Sequence, residues 1–218
     1  KLNFTKTVYG KEWLRHFFSE PHHDMKKILG TQKIIRTLNE HLNDWPSEIT
    51  NGTLLVIEKY LDYNVDPLPH EPNAFNSWTY KTFHIEDYRM VKYSVGHCAD
   101  FFRGLKKLVT LFSEQELPAF FKIYIERAEQ LLRETPLAKI SSSTPGEKFS
   151  PIQSLYFGYH IRNRYKNDVL ELLDIFGRVD AWYSMASAMK AFDLRFPEFI
   201  EGERPTISAQ GLYHLLLK

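Results

Sequence analysis

Cysteine is almost missing: Cys98 is the single one in 218 residues. A lone thiol excludes an internal disulfide framework and any multi-cysteine zinc or iron–sulfur site, and it suits a reducing compartment, the cytoplasm. Neither sign of charge is in excess, because 28 Lys plus Arg stand against 27 Asp plus Glu. The broad basic surface with which a dedicated nucleic-acid binder neutralises phosphates is therefore not encoded. Any contact with DNA is expected to be local, or to be made by another part of a longer protein. No stretch approaches the roughly 18 apolar residues of a membrane span. An initiating Met and an apolar leader are both lacking, which reads as a soluble piece cut from something longer.

Signatures of catalysis are equally scarce. A phosphate loop needs G-x-x-x-x-G-K-[ST], so that freed backbone N–H groups cradle phosphates while Lys supplies charge and a hydroxyl reaches magnesium. Gly10-Lys11 lacks the other glycine and the hydroxyl residue, and Gly146-Glu147-Lys148 lies in a loop with no helix opening on it. His22, His23 and Asp24 hint at metal, but consecutive residues diverge by about 100° on a helix, whereas helical ligand pairs prefer i and i+4. Asp24 reads instead as a helix cap and the histidines as surface residues. Cys98 falls on an apolar helical seam and reads as a buried hydrophobe with a raised pKa. There is no G-x-S-x-G elbow. Glu126, Glu129 and Glu134 read as the wet side of a helix and Glu198, Glu201 and Glu203 as a turn region. The expectation is no catalytic residue, no cofactor-binding residue and no metal site.

What the chain has in quantity is apolar spacing at helical period, with 43% hydrophobic and 15% aromatic residues to fill a core. Trp13, Leu14, Phe17 and Phe18 mark a short helix ending before Pro21. Met25, Ile28, Ile35, Leu38 and Leu42 mark a second, with Gln32 interrupting its apolar face, and Ile49, Thr53, Val56, Ile57, Tyr60 and Leu61 a third after Pro46, weakened by Gly52. Residues 66–82, with Pro67, Pro69 and Pro72, read as an irregular connection. Tyr88, Val91, Val95, Cys98, Phe102, Leu105, Val109 and Phe112 recur at spacings of three and four, a helix on the order of 40 Å long. Ser113 with Glu116 fits a capping box for the next helix, unless Pro118 takes its first position. That helix carries Leu117, Phe121, Tyr124, Ala128 and Leu131, forms a hairpin with its predecessor, and ends at Pro136. Residues 139–151 read as a mobile loop. Helix resumes at Pro151, and Val169, Leu172, Phe176, Val179, Tyr183 and Ala186 form a last seam reaching about Phe192.

The fold class that follows is mainly α: a multi-helix core with long antiparallel lever-type helices and a short β or irregular C-terminal tail. Residues 1–195 form the helical unit and 196–218, with Gly202, Pro205 and Gly211, the truncated start of a following domain. Within the last helix, Ala181, Ser184, Ala186 and Ala188 make a narrow surface for close backbone approach, while Trp182 and Tyr183 add area. Asp180, beside the seam, requires a partner and reads as a buried polar anchor.

These residues carry a resemblance. Thr5-x-Thr7-x-x-Gly10-Lys11-x-x-Leu14-Arg15, followed by Pro21, Asp24, Ile28, Gln32 and Ile35, is similar to the start of the helical core, or lever, domain of the MutS family of DNA mismatch-repair-type ATPases. Asp180-x-x-x-Ser184-x-Ala186 resembles that family's D-x-x-x-S-x-A, and Pro205 with Leu212, Tyr213, His214, Leu215 and Leu216 resembles its lead into the ATPase domain, although Leu215 stands where the family has proline. The resemblance implies a non-catalytic lever that couples a downstream ATPase domain, using ATP and magnesium, to movements driven by DNA or a partner. It also implies a dimeric parent. The 141–151 loop is too short for the family's DNA clamp, which points to a clampless relative. From a different class, a stand-alone helical scaffold for protein partners is the alternative, and a hydrolase using His22, His23 and Asp24 is the third possibility.

Overall fold

In the computed structural model, residues 2–200 and 206–213 are described. Helices make up 69% of the described residues, which contain nine α-helices and no strand. They run α1 (Val8–Ser19), α2 (Met25–Glu40), α3 (Asn51–Asp62), α4 (Ala74–Phe83), α5 (Ile85–Ser113), α6 (Ala119–Leu132), α7 (Thr135–Ser141), α8 (Pro151–Tyr159) and α9 (Lys166–Ala191). A 3₁₀ turn, Leu42–Asp44, follows α2, and a π turn, His160–Arg164, separates α8 from α9.

Local chemistry places most of the boundaries. Thr7, Asp24, Thr50, Asn73 and Ser150 each accept a backbone N–H at a helix start, three of them in a capping box. Ile49 and Leu54, both buried, occupy the N′ and N4 positions around the Thr50 cap, so α3 begins at Asn51, five residues after Pro46. All eight apolar positions expected on the long helix, Tyr88 to Phe112, are buried on α5.

Three expectations about element boundaries need correction. The 66–82 segment is not irregular throughout, because Asn73 and Asn76 cap one another and start α4 at Ala74. Pro136 does not end a helix. It sits in the first turn of α7, where a missing N–H costs nothing, so helix extends into the expected loop as far as Ser141. The Ser113–Glu116 box does not form: the Ser113 hydroxyl turns back to Thr110 O at 2.8 Å, and α6 starts after Pro118 without a side-chain cap. Of the two alternatives for the tail, the described residues 192–200 and 206–213 take the irregular one, without a strand. Glu201, Glu203, Pro205 and the His214–Leu216 stretch lie outside the described residues.

One contiguous core includes α2, α3, α5, α6, α8 and α9. The two longest helices are not each other's main partners. α5 is wrapped by α3, α6, α7 and α8, whereas α9 is covered by α1, α2 and α6. They touch through Phe101 and Phe176, edge to face at 5.9 Å. Phe18, expected in the core, is instead 57% exposed at the end of α1.

Candidate functional site

The most extensive contact between helices is that of α1 on α9, and it is organised around Asp180. The residues before α1 run extended along α9. Lys6 N–H donates to Asp180 Oδ1 at 2.9 Å, Thr7 N–H to Oδ2 at 2.9 Å and the Thr7 hydroxyl to Oδ2 at 2.7 Å. One turn further on, Ser184 Oγ accepts Phe4 N–H at 2.8 Å and donates to Leu2 O at 3.2 Å. The spacing has a physical reason: four helical residues rise about 6 Å, and two extended residues span about 6.6 Å. Asp180 and Ser184 therefore meet Lys6 and Phe4 in register, with the N-terminal segment running antiparallel to the helix.

Thr7 works twice. As the N-cap of α1 its hydroxyl oxygen accepts Gly10 N–H at 3.1 Å, which leaves its proton for Asp180. Gly10 is required by proximity, since a Cβ there would lie 2.1 Å from Asp180 Oδ2. The converse glycine is Gly177, where a Cβ would come within 2.9 Å of Tyr9 Cβ and Trp13 Cδ1. Two missing methyl groups, one on each helix, let the backbones meet. Aromatic contacts close the flanks: Trp182 stacks on Phe17 at 5.0 Å and meets Phe121 edge-on at 5.1 Å, and Tyr183 packs on Trp45 at 4.1 Å.

Asp180 is buried, and burial pushes its carboxyl pKa up while the donors from Lys6 and Thr7 pull the other way. This chemistry is structural. Both of its oxygens face backbone amides or a hydroxyl of the same chain.

The other sequence candidates stay apart. Lys11 is exposed. Asp24 caps α2 by accepting Lys26 N–H at 2.7 Å, and His22 and His23 are exposed, so the suspected metal stretch does not converge. Cys98 is buried and its thiol pKa is pushed far up by burial. Gly146 adopts φ +74° in a turn closed by Thr144 N–H on Glu147 Oε2. Glu126 pairs with Lys122 at 3.5 Å, Glu129 pairs with Arg133, Glu134 accepts from Tyr165 at 3.5 Å, and Glu198 is exposed. Gln32 crosses to the tail, donating to Pro197 O at 3.2 Å.

One grouping escaped sequence reasoning. Asp66, His84 and Asp87 bring ligand-type atoms within 4.8 Å of each other. Their spacing, across the proline-rich connection, gives no readable pattern. His84 Nδ1 lies 2.7 Å from Asp66 Oδ2, and Asp87 accepts Asp66 N–H at 2.9 Å, so the three already serve to fasten that connection to the start of α5. No helix is long and apolar enough to cross a membrane among the described residues.

No protein-family model, curated protein or solved structure matches the chain.

Proposed function

We propose that this chain is the helical core and lever of a MutS-like DNA-repair ATPase, without chemistry of its own. The observation that carries the proposal is the junction just described. The two stretches on which the resemblance chiefly rests are partners in space, although Thr7 and Asp180 lie 173 residues apart in sequence. Thr7, Gly10, Asp180 and Ser184 are four of the fixed positions of the two patterns, and each has a geometric duty at the α1–α9 contact.

In this reading α9 and the segment latched to it move as one body. Packed helices have a few discrete arrangements instead of bending continuously, so a shift at one end is passed to the other. The partner is the chain's own downstream ATPase domain, which supplies ATP and magnesium chemistry. DNA is reached through the parent protein and only weakly by this part. The parent pairs as a dimer and works in the cytoplasm.

The test is a chain extended past Lys218. It is expected to continue into G-x-x-x-x-G-K-[ST] and to hydrolyse ATP with magnesium, whereas the 218-residue chain alone hydrolyses none and binds duplex DNA feebly. In the extended protein, Asp180→Ala should keep basal turnover and lose its response to DNA or partner. Turnover by the isolated chain, or its tight, salt-sensitive binding of DNA, would contradict the proposal.

A second reading, a scaffold for protein partners, is favoured by α4. There Phe75, Trp78 and Phe83 are 77%, 61% and 74% exposed, more aromatic surface than a solvated helix needs. An extended frame without the phosphate-loop pattern would transfer the weight to this reading.

A further inference from the structure

A groove of about 610 Å³ lies between α1 and α3, with α9 beneath it. Tyr9, Trp13 and Leu54 give it an apolar floor, and Val8 and Leu55 continue that surface at the lip. Three carboxylates, Glu12, Glu58 and Asp174, complete the lining, together with His16 and Asn51 but without any lysine or arginine.

Two of these carboxylates are already engaged. Asp174 accepts Trp13 Nε1–H at 2.8 Å and Arg178 Nε–H at 3.0 Å, and Glu12 pairs with Arg15 at 3.0 Å. Glu58 is half-buried and forms no ion pair among the described residues. The walls are preformed. The Arg178 guanidinium lies 3.5 Å from the Trp13 ring centroid and donates to Tyr124 Oη at 2.9 Å, while Gly177 allows Tyr9 and Trp13 to rest on α9. The Tyr9 phenol registers the local field: burial first, then Glu58, Asp174 and Asp62, push its pKa up. A rigid aromatic floor beside an unpaired carboxylate is the arrangement that recognises a cation with an apolar body.

We propose that this groove binds a small organic cation, a protonated amine on an aromatic or branched aliphatic body, with the ammonium at Glu58 and the body over Tyr9, Trp13 and Leu54. The volume falls within the range of small-ligand pockets, roughly 300–1,000 Å³, which favours a small molecule over a long peptide. The site is independent of the lever reading and stands if that reading fails.

Three probes with a common phenyl ring separate charge from apolar contact: 2-phenylethylamine, 2-phenylethanol and 3-phenylpropionate. Each is titrated into the 218-residue chain while the Trp13 indole N–H resonance is followed. The expected order is amine over alcohol by about tenfold, the effect of one charge-assisted contact, with the carboxylate weakest. Glu58→Gln should bring the amine down to the alcohol with the unfolding midpoint unchanged. If that variant does not fold, the charge order in the unaltered chain decides the question alone. The proposal is overturned if amine and alcohol bind equally, if the preference survives Glu58→Gln, or if no probe moves the Trp13 signal at millimolar concentration. A helical lysine–leucine peptide that shifts Trp13 when the amines do not would assign the groove to a protein partner, and would also overturn it.

Discussion

Asp180 holds three donors where α1 and the residues before it meet α9, and each would be left without an acceptor if the carboxylate were removed. A buried donor without a partner costs about 1–3 kcal/mol. Asp180→Ala is therefore expected to destabilise the chain by about 3 kcal/mol or more, measured by urea unfolding. Gly10→Ala should also destabilise it, although alanine favours helix over glycine by roughly 1 kcal/mol, because the new methyl group meets Asp180 Oδ2 and Cγ at 2.1 and 2.5 Å. Asp180→Ala removes these two atoms but keeps the Cβ, which the new methyl group would meet at 2.7 Å, so relief is partial. The double variant should thus lose less stability than the sum of the single losses. Equal, additive losses would show that Gly10 is not fitted to Asp180. The need for a partner at Asp180 was legible in the sequence, as a charge beside an apolar seam. The partner's identity was not, because hydrogen bonds to Lys6 and Thr7 across such a separation leave no periodic trace.

Helices with one strongly apolar face were the readable ones. The Tyr88–Phe112 and Val169–Ala186 spacings predict α5 and α9, and every one of those positions is buried. Burial on α5 extends beyond the seam to Ser94, Phe101, Arg103 and Leu108, because helices on several sides pack against it and one stripe cannot describe such a helix. The short helices failed for identifiable reasons. α4 turns Phe75, Trp78 and Phe83 outward, so its apolar residues do not mark the core face, although Asn73 and Asn76 were a legible start. α7 begins with a proline that serves equally well as a stop.

The π turn before α9 had no signal in spacing, and it carries a buried histidine. Tyr165 N–H reaches His160 O at 2.9 Å across five residues, and the ring sits among Tyr156, Tyr159 and Tyr165. Burial, then Arg164 and His70, hold the His160 pKa below its ordinary value. The unfolded chain consequently binds the proton more readily. The stability contributed by neutral His160 is complete above about pH 6.5 and is lost as pH falls through the lower folded-state pKa. Relative to His160→Phe, the unaltered chain should weaken on acidification from neutrality, as read by urea unfolding across pH 7.5 to 5. A constant difference over that range would show that the ring is not held neutral.

Taken as a whole molecule, α9 works as a spine. α1 and the extended residues before it lie along one side, α2 and α6 cover others, and Phe176 reaches across to Phe101 of α5. α5 and α9 thus share α6 as a neighbour and also touch directly through Phe101 and Phe176, a packing that periodicity within each helix could not reveal. Arg127 of α6 grips Glu171 with two bonds of 2.8 Å, and Lys166 ties the start of α9 to Leu61 O at 3.0 Å, so several elements brace the same spine. A helix held in this way transmits displacement only if the latched N-terminal segment opens together with it. Amide hydrogen exchange at Lys6 and Thr7 tests this most directly, because both N–H groups donate to Asp180. They should exchange as slowly as the amides of Val179 to Ser184 on α9, and become fast with them in Asp180→Ala. Rapid exchange at Lys6 and Thr7 while α9 remains protected would mean that the segment is only draped on the helix, and that the two do not form one rigid body.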